Sequence, residues 1–168
     1  MRYSDIKNFD IANGNGIGVS VWVSGCIFHC KDCFNEAAWN FNAGKPWTED
    51  TIEQIIKLCK NPNINHLSIL GGEPLHPANM GGVYNLVSRF RTEFGTTKKI
   101  WLWTGYKVED LSSGQKEVAK LLDYLVDGQY ISDLRDTNIR FRGSSNQRIW
   151  TWDSNNLVDI SKDIDAII

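Results

Sequence analysis

The spacing of apolar positions changes period several times along this chain. Gly18–Ser24 (GVSVWVS) is a short β-branched and aromatic run, which predicts a buried strand. Thr48–Lys60 reads as a helix: Thr48 can cap it, Glu49 and Asp50 suit its N-terminal dipole, and Ile52, Ile55, Ile56 and Cys59 share one face. His66–Leu70 is a second strand. Met80–Phe94 is a second helix, with Val83, Leu86, Val87 and Phe90 on one side and Gly95 just past its end. Lys99–Trp103 reads as a third strand, Gln115–Leu122 as a third helix and Asp123–Val126 as a short fourth strand. Arg148–Trp152 adds a further strand.

Strand–helix–strand order implies right-handed parallel βαβ units. A full eight-unit barrel takes at least about 200 residues, and the chain has 168. The expected fold is therefore α/β: a partial, open parallel (βα) barrel, or an open parallel sheet, in one domain over residues 1–168. In such folds the chemistry sits in loops at the C-terminal ends of the strands. Strand one leads into a cysteine cluster, strand two into Gly71-Gly72-Glu73-Pro74, strand three into Thr104-Gly105-Tyr106, and strand four into Asp127-Gly128-Gln129. All four unusual loops then fall on one face, which predicts a single composite site.

Composition narrows the classes. With 18 basic and 20 acidic side chains the formal charge is −2, so electrostatics gives no reason to expect a nucleic-acid partner. No apolar run approaches the roughly 20 residues that span a bilayer, and the first residues lack the apolar segment of an export signal. No membrane association and a cytoplasmic location are expected. Three of the four cysteines fall within eight residues. Without export, metal or redox chemistry is the stronger reading of such a cluster.

Cys26-Ile27-Phe28-His29-Cys30-Lys31-Asp32-Cys33 is a C-x3-C-x2-C motif. Three thiolates on one tight loop can converge on a metal centre. A structural zinc site wants four protein ligands, and so does a closed [4Fe–4S] cluster. Cys59 shares a helix face with isoleucines and reads as a small buried hydrophobe. His29, next to Cys30, does not easily join the same tetrahedron. Three readings stay open: an iron–sulfur cluster with one open iron, a zinc site, and unmetallated thiols. In Gly71-Gly72-Glu73, two glycines allow close backbone approach to a ligand, with Glu73 facing a cation; the plain alternative is a strand-ending turn. Thr104 and Asp127 are either turn residues or polar contacts on the shared face. Asn13–Gly18 is glycine-rich but precedes a strand, so it is no dinucleotide fingerprint.

The cysteine spacing after a first strand resembles the radical S-adenosylmethionine superfamily. Asn13–Gly18 is similar to a loop of its glycyl-radical activating enzymes, with Asn15 and Gly18 departing from that pattern. Asp123–Gly128, Leu134-Arg135-Asp136 and Phe141–Arg148, with Cys33-Phe34-Asn35 and Trp39-Asn40, closely resemble the anaerobic ribonucleoside-triphosphate reductase activating protein family. The resemblance covers about residues 3–152. It implies a [4Fe–4S] cluster on Cys26, Cys30 and Cys33, with S-adenosyl-L-methionine at the open iron. It further implies cofactor contacts from Asp32, Cys33, Phe34, Gly71, Gly72, Glu73, Thr104 and Asp127. Asp32 stands where a small glycine is common in that family, which leaves the adenine contact at that position open.

The activity implied is reductive cleavage of S-adenosylmethionine to methionine and a 5′-deoxyadenosyl radical, which makes a glycyl radical on the reductase large subunit. An external one-electron donor such as flavodoxin would supply the electron. Three rivals are an activase of another glycyl-radical enzyme such as pyruvate formate-lyase, a radical enzyme acting on a small molecule, and a non-catalytic metal-binding module. For the cofactor loop, Gly72 is expected to allow close approach of the methionine moiety, so that a side chain there would weaken ligand binding and spare iron. Phe141–Arg148 is expected near the open side of the barrel, at the partner or the cofactor.

Overall fold

In the computed structural model, which describes residues 1–168, eight strands form one sheet. The strands are β1 (Arg2–Asp10), β2 (Gly18–Val23), β3 (Lys45–Pro46), β4 (His66–Gly71), β5 (Lys99–Trp103), β6 (Tyr124–Asp127), β7 (Arg148–Asp153) and β8 (Asn156–Asp159). The helices are α1 (Glu49–Cys59), α2 (Pro77–Phe94), α3 (Ser113–Ala119) and α4 (Ile164–Ile167). Strand order is β3-β1-β2-β4-β5-β6-β7-β8, with β3 and β8 as edges. No helix is long and apolar enough to cross a membrane.

The expectation of a parallel sheet holds for the centre and needs correction at the flanks. β2, β4, β5 and β6 pair in parallel, each step joined through one of the helices α1, α2 and α3. The pairs β1–β2, β1–β3, β6–β7 and β7–β8 are antiparallel. The reason is connection chemistry: a parallel return needs a crossover, usually a helix. Ile11–Ile17 and Ser154–Asn155 are too short for one, and Gly128–Gln147 carries only a short 3-10 turn.

Alternation within the central strands sorts side chains to two faces. Val19, Val21, Val23, Leu67, Ile69, Ile100, Leu102 and Leu125 share one core with Ile52, Ile55, Cys59, Leu86, Val87, Phe90 and Val118 of the helices. The residues between them face the other way. There Trp101 and Val126 pack with Ile149, Ile160 and Ile164, joined by Trp103, Tyr124 and Phe141.

Caps set where the helices start. Thr48 accepts from the Thr51 N–H while the Thr51 hydroxyl accepts from the Thr48 N–H, a reciprocal cap. α2 begins three residues earlier than its apolar pattern, because Pro77 suits the first helical position and the His76 imidazole accepts from the Ala78 N–H at 3.0 Å.

Phe90 is fully buried in this core and packs on Phe94 with ring centroids 4.7 Å apart. Phe90→Ala is expected to cost about 3–5 kcal/mol through lost burial and the cavity left behind. Denaturant titration should show a lower midpoint at unchanged slope. A loss below about 1 kcal/mol would mean that α2 does not anchor the core.

Candidate metal centre and cofactor cavity

The cysteine loop and the loop after β4 are joined by backbone hydrogen bonds before any ligand is considered. Leaving β2, the Gly25 N–H donates to the Ala38 carbonyl at 2.6 Å, and the Cys26 N–H to the Trp39 carbonyl at 3.1 Å. The Gly25 carbonyl accepts from the Glu73 N–H at 2.7 Å, and the Gly72 N–H donates to the Val23 carbonyl at 2.9 Å. The buried amide of Asn79, in the first turn of α2, bridges both loops by donating to the Ser24 and Glu73 carbonyls, each at 3.0 Å.

Gly72 serves this junction by the space its missing side chain leaves. A Cβ on Gly72 would stand 2.5 Å from the Gly25 carbonyl oxygen and 3.0 Å from that of Ala38. The missing side chain makes room for the protein's own backbone. Gly71 has φ +124°, a conformation that favours glycine.

Glu73 is buried, and its carboxylate is met by N–H and O–H donors. It accepts from the Leu75 N–H at 2.8 Å, the Thr104 hydroxyl at 2.8 Å and the Gly105 N–H at 2.6 Å. Burial pushes its pKa up to about 7, against the pull of these donors. Thr104 is thus a strut between the ends of β4 and β5.

Cys26, Cys30 and Cys33 are free and half-buried. Burial pushes the Cys26 thiol up, while the backbone at Phe28 and His29 favours its thiolate. Burial also raises Cys30, Cys33 beside it adds to this, and the backbone at Tyr130 opposes both. Cys33 Sγ accepts from the Asn35 N–H at 3.4 Å. His29 lies flat on the Trp39 ring, centroids 4.3 Å apart. Cys59 is sealed in the helix core, its thiol pushed up to about 12 by burial. No three His, Cys, Asp or Glu side chains stand grouped as for a single metal ion. A multi-iron cluster sets its ligands at separate corners. Three thiols with N–H donors at their sulfurs fit such a group, since these donors favour anionic sulfur.

The four strand-end loops meet around a cavity of about 500 Å³. Cys26, Cys30, Cys33, Phe34, Gly71, Gly72, Glu73 and Thr104 all line it. Two sequence candidates do not. Asp32, at φ +57°, accepts from the Ser132 hydroxyl at 2.6 Å on the exterior. Asp127 is fully buried, 2.6 Å from the Arg148 guanidinium, and accepts from the Val108 N–H at 2.9 Å. Arg148 also binds Glu109 at 2.7 Å, so it ties the end of β6 to the 3-10 turn that holds Glu109. Its neighbours Phe141, Arg142, Gly143 and Gln147 do line the cavity.

Sequence reasoning missed Trp22, Leu70 and Trp103, which form the apolar wall. Period-two alternation could have found them, since each sits out of phase with the helix-facing residues of its strand. Asn13 was passed over as part of a weak loop, yet it lines the cavity. Its carbonyl accepts from Ser68 at 2.9 Å and from His66 Nε2 at 2.7 Å, and its amide donates to buried Asp10 at 2.7 Å.

A family model described as "4Fe-4S single cluster domain" matches residues 12–150. Together with three thiols on one cavity, the match defines an iron–sulfur protein with a single cluster. A protein of Escherichia coli (strain K12) named "Anaerobic ribonucleoside-triphosphate reductase-activating protein" is 41% identical over 149 residues, 88% of this chain and 96% of its own length. Proteins of the same name from Vibrio cholerae and Enterobacteria phage T4 are each 39% identical over 151 residues, spanning 89% and 90% of this chain and 97% and 94% of their own lengths. The chain belongs to the anaerobic ribonucleoside-triphosphate reductase-activating protein family.

Two outcomes follow from the junction. Gly72→Val is expected to displace the cysteine loop and reduce iron uptake on anaerobic reconstitution, by half or more on the order of a misplaced ligand shell. Full iron content would show that the loop tolerates the side chain. For Glu73, the folded pKa lies above the unfolded one, so the folded state holds the proton longer. Stability from this group is therefore highest at acidic pH and falls as pH rises from about 4.5 to about 7. Glu73→Gln should flatten that slope in denaturant titrations across this window. An unchanged slope would place the titration elsewhere.

Proposed function

We propose that this protein activates anaerobic ribonucleoside-triphosphate reductase as a radical S-adenosylmethionine enzyme acting through residues 1–168 as one unit. The observation that carries the reading is the set of three thiols, on the one cavity that all four strand-end loops line, in a chain of this family. Cys26, Cys30 and Cys33 would hold a [4Fe–4S] cluster and leave one iron for S-adenosylmethionine. When bound, the cluster supplies one electron that splits S-adenosylmethionine into methionine and a 5′-deoxyadenosyl radical, which takes a hydrogen atom from a glycine Cα of the reductase large subunit. An external one-electron donor, such as flavodoxin, would restore the cluster.

The chain's own residues position and exclude. The Gly71–Glu73 backbone, fixed by Asn79 and by the Glu73 struts, presents a rigid ledge beside Cys26. Trp22, Leu70, Trp103 and Phe141 wall off the inner side and keep water from a reactive radical. Phe34 and Thr104 stand at the same cavity as candidate contacts, whereas Asp32 and Asp127 act through the loops they brace. The free edges β3 and β8 support reading the sheet as an open barrel whose uncovered side admits a loop of the reductase.

The test is anaerobic incubation of reconstituted protein with S-adenosylmethionine, a reductant and the reductase large subunit. A glycyl-radical doublet in the EPR spectrum is expected. Cys26→Ala, Cys30→Ala and Cys33→Ala should each abolish it and S-adenosylmethionine cleavage, while Cys59→Ala should keep both and cost about 1 kcal/mol or so in stability. Cleavage without any doublet would point to a different acceptor, and retained cleavage in Cys33→Ala would overturn the ligand set.

A further inference from the structure

Gln129 lies far from the cysteine motif in sequence, yet its side chain reaches one of the three sulfurs. It follows β6 in the loop Gly128-Gln129-Tyr130. Its amide oxygen stands 4.0 Å from Cys30 Sγ, across 99 positions of sequence. A carboxamide serves either partner state: a thiol S–H donates to Oε1, and a thiolate accepts from Nε2–H after the amide turns over. Cys26 and Cys33 draw their donors from their own loop, at Phe28, His29 and Asn35. Cys30 is the sulfur met by a distant strand end.

The loop carrying Gln129 is held in place by the late polar segment. Asn146 Nδ2 donates to the Gln129 carbonyl at 2.8 Å, and Gln147 Nε2 to the Gly128 carbonyl at 3.0 Å. Gln147 Oε1 accepts from the Gly143 N–H at 2.7 Å, and the Gly128 N–H donates to the Tyr106 carbonyl at 3.1 Å. Two side-chain amides are therefore committed to one short loop, and the element they fix ends against Cys30. Such outer hydrogen bonds orient metal ligands and shift their redox balance.

We propose that Gln129 is a positioning residue that donates a hydrogen bond to the Cys30 thiolate and so raises the reduction potential of the cluster held there. The inference rests on the cluster reading given above. Reduction adds negative charge that spreads onto sulfur, and a donor at that sulfur favours the more negative state. Gln129→Leu keeps bulk and removes the donor. Gln129→Glu keeps shape and replaces the donor by an anionic acceptor, so its effect should be larger and of the same sign.

The experiment is an EPR-monitored redox titration of anaerobically reconstituted protein, without the reductase, with iron content measured alongside. Gln129→Leu is expected to shift the reduction equilibrium about tenfold toward the oxidised form, about 59 mV more negative for one electron. Gln129→Glu should lie lower still, and Asn146→Leu, which frees the loop, should move the potential in the same direction. The order Glu below Leu below wild type supports the proposal. Equal potentials in wild type and Gln129→Glu, with full iron in both, overturn it and leave the functional reading intact. Should leucine disturb the loop and lose iron, the isosteric glutamate comparison still decides. A wild-type protein that takes up no [4Fe–4S] cluster overturns the functional reading, and this inference with it.

Discussion

A carboxylate is buried at Glu73 without an ion-pair partner, and the geometry of the cavity depends on how that burial is made tolerable. An isolated buried charge is costly unless donors replace its water. Here the donors come from two strand-end loops: Leu75 on its own side, Thr104 and Gly105 at the end of β5. Satisfying the carboxylate therefore fixes the distance between the ends of β4 and β5. The Glu73 N–H in turn binds the Gly25 carbonyl, which fixes the start of the cysteine loop. One buried group thus sets three of the four loops around the cavity. Glu73 acts by locking positions that a ligand then finds already arranged.

The fourth loop is set by a second buried carboxylate, under different electrostatics. Asp127 is paired with Arg148, which also grips Glu109. Glu109 is exposed, and the Arg148 guanidinium beside it holds its carboxyl down at about 2. This exposed arm is worth little by itself. The buried arm is different, since removing Arg148 would leave Asp127 uncompensated in the interior. The two carboxylates thus divide the rim: neutral donors brace β4 against β5, and an ion pair braces β6 against β7.

The sequence made the centre of this fold legible and left its flanks unread, for a physical reason. β4 and β5 sit between parallel neighbours with helices on one face, so continuous apolar runs betray them. β1 reads RYSDIKNFD and is mostly exposed, because it lies near a sheet edge with little to bury. β3 has only two residues and β8 has four, with an asparagine and an aspartate at its ends, too little pattern to detect. At the site, three cysteines in eight residues were legible because their spacing is local. Asp127 was not, because a strand-end aspartate looks alike whether it meets a ligand or an arginine 21 positions on. The packing role of Gly72 was hidden for a similar reason. Its missing Cβ points at Gly25, and a direction of that kind is set by tertiary neighbours.

The inner face of the sheet explains why the cavity has a closed end. Toward the N-terminal ends of the strands, Trp101 is stacked on Tyr124 at 4.3 Å and packed by Phe141 at 4.7 Å, with Ile160 and Ile164 beneath. The Asn13 loop covers His66 and Ser68 on the adjoining strand. Both plugs occupy the ends away from the cysteines. At the C-terminal ends the same face is left uncovered as Trp22, Leu70 and Trp103, and the Trp103 indole N–H is used up on the Phe141 carbonyl at 2.7 Å. The chamber is therefore apolar at depth and thiol-lined at its side. That arrangement suits a reaction whose reactive species has to meet its target before it meets solvent.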